Sequence, residues 1–104
     1  MTDLEITKLC AEAMGFESIG IEEDRHGQFV QVWYKSDWLT WQPLIDDAQA
    51  MVLVKKFHIA LGWNPGWAAF RQDTKKWVYG TEVDGRDDLN RTICNCVAKM
   101  QASK

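Results

Sequence analysis

The sequence predicts an α+β domain in the order α-β-β-α-β-β-β-α, with a mostly antiparallel sheet of four or five strands covered by helices, an α/β/α sandwich. Three observations carry this expectation. Capped, amphipathic segments open and close the chain. Between them lie runs rich in β-branched and aromatic residues, joined by turns too short for the crossovers that parallel strands require. A middle segment is apolar on nearly every side, which suits a helix packed between two partners. A chain of 104 residues holds one such domain.

The first helix is expected over about 3–14. Thr2-Asp3-Leu4-Glu5 has the capping-box form, and Ile6, Leu9, Cys10, Ala13 and Met14 recur at three- and four-residue steps. Gly15 supplies a left-handed stop. Ser18 to Glu22 reads as a short strand, Asp24-Arg25-His26-Gly27 as a polar turn, and Phe29 to Tyr34 as a second strand ending at Lys35-Ser36-Asp37. Residues 38–45 read as a link into the second helix. Asp46 and Asp47 favour that helix's N-terminus and Lys55-Lys56 its end, while Ala48, Ala50 to Val54 and Phe57 cover more than one stripe.

Three more strands follow: His58 to Gly62, Gly66 to Gln72 and Lys76 to Val83. Asn64-Pro65-Gly66 and Gln72 to Lys75 form the turns between them. Asp84 or Asp87 caps the last helix. Its stripe of Leu89, Ile93, Cys96, Val97 and Met100 is expected to be buried, with Arg91, Asn95 and Lys99 exposed and Gln101 to Lys104 fraying.

Fifteen acids against twelve bases give a net charge of −3, which disfavours generic binding to a phosphate backbone. The distribution is lopsided. Residues 1–54 hold ten acids and three bases, net −7, and residues 55–104 hold five acids and nine bases, net +4. No uncharged run approaches the length of a membrane span, and no leader of the secretory type is visible. Three cysteines, Cys10, Cys94 and Cys96, fit a reducing compartment. Cys94 and Cys96 lie two apart on a helix and therefore point away from each other, and neither His26 nor His58 stands at a zinc spacing from them. No metal and no cofactor are expected.

Catalytic signatures are missing. The glycines stand singly at turns and strand ends, Ser18, Ser36 and Ser103 occupy no nucleophile elbow, and the pairs Asp46-Asp47 and Asp87-Asp88 are explained by helix capping. The unusual feature is tryptophan, present six times. Trp33 and Trp77 fall in strands and are assigned to the core. Trp38, Trp41, Trp63 and Trp67 fall in links and turns. These four either complete the core beneath folded loops or form a contact patch, a use for which the large, stiff indole is enriched.

The run Pro43 to Met51, then Trp77-Val78-Tyr79, then Asp88 to Cys94 with Val97-Ala98-Lys99-Met100, together with the opening Thr7 to Gly15, resembles the phage ABA sandwich domain family. These are small proteins encoded by phages and prophages. The likeness spans most of the chain and is thinnest between residues 20 and 40 and through Trp63–Trp67. Its motifs are helix starts and apolar stripes. They imply a helix–sheet–helix arrangement and a phage origin, and they lend no catalytic residues.

The expectation is therefore a small non-enzymatic phage or prophage protein of the host cytoplasm, a monomer or weak homodimer. It binds a host or phage macromolecule, most simply a protein, through Trp38, Trp41, Trp63 and Trp67. The alternative is a nucleic-acid-binding accessory protein using Lys55, Lys56, Arg71, Lys75 and Lys76 with an indole stacked on bases.

Overall fold

The chain opens with α1 (Asp3–Met14), bounded as its sequence predicts. The Thr2 hydroxyl accepts from the Glu5 amide at 3.2 Å, and Gly15, at φ +74°, donates its amide to the Glu12 carbonyl at 3.0 Å. The computed structural model describes the backbone at residues 1–63, 67–71, 76–79 and 89–104, and side chains at 1–62, 69 and 89–104. The turns assigned to 64–66 and 72–75, strand residues beyond Tyr79, and the caps Asp84 and Asp87 lie outside the described residues.

After α1 come β1 (Ile19–Asp24), β2 (Gly27–Tyr34) and β3 (Asp37–Trp41), an antiparallel meander. Its first hairpin turns at Arg25-His26. Gly27 takes φ +114° there, and the Asp24 carboxylate accepts the His26 amide at 2.7 Å. The second hairpin has a two-residue loop, Lys35-Ser36, with φ of +50° and +66°. Positive φ at both positions is what a type I′ loop demands, yet neither residue is the Asn or Gly that usually supplies it. For that reason residues 38–41, expected as a link, are a strand.

Helix α2 (Asp47–Phe57) starts at an Asp46 cap whose carboxylate accepts the Gln49 amide at 3.0 Å. It ends at His58, held at φ +51° with its amide on the Val54 carbonyl. Then β4 (Ala60–Trp63), β5 (Trp67–Arg71) and β6 (Lys76–Tyr79) form a second antiparallel meander, and α3 (Leu89–Ala102) follows. The α+β class and the order of elements are as the sequence predicts, with one more strand. The six strands divide into two three-stranded ladders, where one sheet of four or five was expected.

Helix α3 is the centre of the core. It packs on α1, on α2 and on β5 and β6, while α1 also lies against β1 and β2. Small residues let α1 and α3 approach closely: Cys10 and Ala11 face Cys94 and Ala98, all fully buried, and the Cys10 thiol donates to the Cys94 carbonyl at 3.3 Å. Consequently α3 has little solvent face. Leu89 is half-buried, Ile93, Cys96, Val97 and Met100 are buried and Lys99 is exposed, but Arg91 and Asn95, expected outside, are buried as well. Arg91 reaches the first turn of α1, where its Nη1 and Nη2 donate to the two oxygens of Asp3 at 2.8 and 3.0 Å. Beside it, the Asn90 amide donates to Asp47 in the first turn of α2 at 2.7 Å. In α2 itself burial is confined to one stripe, Ala50 and Leu53 with Val54 and Phe57 half-buried. The expected burial on most sides is not found, since Met51 and Val52 are exposed.

Two stability measurements check these assignments. Ile93→Ala should cost about 2–5 kcal/mol in urea unfolding, because it empties a fully buried site on the central helix. The pair Lys35→Asn and Ser36→Gly should stabilise by about 1 kcal/mol by relieving two left-handed non-glycine residues. An unchanged or lowered midpoint in the second variant would show that the loop carries no such strain.

Candidate functional site

The register of β1–β3 sorts their side chains onto two faces. Trp41 pairs with Val30 and Leu39 with Val32, so these share the face toward α1, together with Ile19 and Ile21. There Val30, Val32 and Trp41 are buried, and the Phe16 ring meets the Trp41 ring edge-on with centroids 5.1 Å apart. The opposite face carries Gly20, Glu22, Phe29, Gln31, Trp33, Trp38 and Thr40. None of these side chains is buried, so among the described residues no helix covers this face.

Its centre is an aromatic pair. The two-residue loop makes Tyr34 and Asp37 a hydrogen-bonded pair, so Trp33 and Trp38 form the closer, non-hydrogen-bonded pair next to them. Their rings meet edge-to-face at 5.5 Å between centroids and 71° between planes. The Trp38 ring extends over Gly20 on β1, where a Cβ would lie 4.0 Å from Cζ3. Trp38 remains 48 % exposed. The carboxylate next to the pair is Asp37, which accepts the Trp38 amide at 2.8 Å, while Glu22 and Asp24 lie on the same face further along β1, opposite Phe29 and Gly27. Lys35 is drawn aside, with its ammonium 5.2 Å from the centroid of the Tyr34 ring.

The two edges of this sheet differ. On β3 the groups that point away from β2 belong to Trp38, Thr40 and Gln42. The Gln49 side chain from α2 satisfies two of them, donating to the Thr40 carbonyl at 2.9 Å and accepting the Gln42 amide at 2.6 Å, while Asp37 takes the Trp38 amide. On β1, the bond from the Trp33 amide to the Ser18 carbonyl sets the phase, so Ile19, Ile21 and Glu23 point outward. Among the described residues nothing bonds to that edge.

The predicted binding residues are thus divided. Trp38 is on the surface, as expected. Trp41 is not: at 3 % exposure it belongs to the core, because the alternation of a strand that was not foreseen turns it inward with Val30. Conversely, Trp33 was assigned to the core and sits half-exposed beside Trp38. Trp63 and Trp67 are opposed at the β4–β5 end, and their side chains, like that of Trp77, lie outside the described residues. Of the basic set, Arg71 and Lys76 are cross-strand partners at one end of the second sheet, and Lys75 lies outside the described residues. Lys55 and Lys56 are on α2, where Lys56 donates to the Met14 carbonyl at 2.8 Å. A shallow groove of ≈ 240 Å³ beside Trp41 is walled by Leu4, Val30, Leu44 and Ile45, and its carboxylate, Asp3, is held by Arg91. No cluster of three His, Cys, Asp or Glu suited to a metal occurs among the described residues.

The two indoles should separate in unfolding experiments. Trp41→Ala should cost about 3–5 kcal/mol, as a core truncation, and Trp38→Ala only about 1 kcal/mol, the worth of an aromatic pair. Equal losses would place both in the core.

No family model, no curated protein and no solved structure matches the chain, so the geometry of the face itself carries the functional argument.

Proposed function

We propose that the chain is a small non-enzymatic phage or prophage protein of the host cytoplasm that binds a host or phage protein with the outer face of β1–β3. The observation that carries this is the uncovered Trp33–Trp38 pair, with Trp38 about half exposed and the Asp37 carboxylate at its amide. A sheet face with a stiff aromatic centre and a polar rim has the anatomy of a binding hot spot. Asp37 beside Trp38, with Glu22 and Asp24 further along the same face, favours a basic surface, whose Lys or Arg side chains lie over indole faces while their charge meets the carboxylates. Phage origin rests on the resemblance of the helix starts and apolar stripes. That no described helix is long and apolar enough to cross a membrane accords with a partner away from the bilayer.

Fluorescence quenching tests the face, and capture tests its use. The emission lost in Trp38→Ala should be quenched more strongly by caesium than by iodide, since the Asp37 carboxylate stands beside that residue. An immobilised chain should retain a basic protein from host or phage-infected lysate, and Trp38→Ala or Glu22→Lys should release it at a cost of about 2 kcal/mol or more. Capture of the same protein with unchanged affinity by both variants would overturn the reading.

A further inference from the structure

Helix α2 turns Ala50, Leu53 and Phe57 toward the core. On its diametrically opposite side are Ala48, Met51, Val52 and Lys55, spaced as one continuous stripe. Met51 is 40 % and Val52 43 % exposed, and Ile45, just ahead of the helix cap, is 76 % exposed. Met51 and Val52 adjoin on this helix face and form an exposed apolar surface that single scattered residues do not. Among the described residues nothing covers it.

We infer that this stripe joins two copies of the chain, α2 against α2, antiparallel about a two-fold axis between Met51 and Val52. The charges on the helix decide the occupant and its direction. Asp47 stands in the first turn and Lys55 in the last. A parallel pair would set Asp47 against Asp47 and Lys55 against Lys55. An antiparallel pair sets Met51 against the partner's Val52 and brings Asp47 beside the partner's Lys55, twice by symmetry. It also opposes the two helix dipoles favourably. The neighbouring charges are already engaged: Asp46 caps the Gln49 amide and Lys56 bonds the Met14 carbonyl. Asp47 gives Oδ1 to Asn90 and keeps Oδ2 for the lysine. Ile45 then overhangs the far end of the partner helix near the partner's His58. Eleven residues of helix, about 16 Å, make a contact smaller than the standard interface of about 1,600 Å², so the association is weak.

This surface lies on a different element from the aromatic face, so either proposal can fail alone. Sedimentation equilibrium of the whole chain from about 10 μM to about 1 mM, the range where such contacts operate, should show the mass rising from 12.0 kDa toward twice that value. Val52→Glu should stay at the monomer mass throughout with an unchanged circular dichroism spectrum. Lys55→Glu and Asp47→Lys should each weaken association about tenfold, and the double variant should return to within about twofold of the parent. Salt should weaken the parent dimer. A mass fixed at the monomer value, a dimer indifferent to Val52→Glu, or a double variant no better than the single ones overturns the inference. In the last two cases another surface or another occupant is responsible.

Discussion

Everything else in the structure leans on the burial of α3. A helix enclosed by two other helices and a sheet cannot keep a polar stripe in water, and its first turn meets this by reaching carboxylates on its neighbours. Arg91 and Asn90, neighbours in the first turn, do this in two directions, one taking Asp3 at the start of α1 and the other Asp47 at the start of α2. The carboxylates they meet also suit the positive ends of their own helices. One turn of α3 thereby fixes where two other helices begin. The small residues further along, Cys94 and Ala98 against Cys10 and Ala11, set how close α1 comes.

From that placement the first sheet follows. With α1 committed to α3, one side of α1 remains to cover β1 and β2, and only one face of the first sheet receives it. The other face is left to solvent, with the Trp33–Trp38 pair at its centre. The aromatic surface is thus a consequence of how the helices are shared between two ladders, and the acids on this sheet belong to the strongly negative first half of the chain.

How much of this could be read in advance depended on local chemistry. The ends of α1 and the start of α2 were legible because caps are local: Thr2, Gly15 and Asp46 act within a turn of their own position. The loop Lys35-Ser36 was not, since its positive φ values are imposed by the strands it joins rather than by residues that favour them. Missing that loop hid β3, and with β3 went the facing of Trp38 and Trp41, which follows from alternation alone. Arg91 and Asn95 were misplaced for a different reason. Periodicity identifies the stripe that must be buried, but it does not reveal that the opposite side is enclosed too.

The unequal edges of the first sheet also limit how the protein can associate. A strand edge is a template, and a sheet with two open edges can add copies without end. Here Gln49 and Asp37 engage the Trp38 amide, the Thr40 carbonyl and the Gln42 amide of β3 with side chains, whereas β1 offers its outward backbone bare. Pairing through this sheet is therefore favoured at β1 over β3. A guest strand at β1, or two copies joined there, leaves at the far side only the partly occupied edge of β3. The domain can lend a strand partner a place at β1 while the side chains on β3 discourage growth from the other edge.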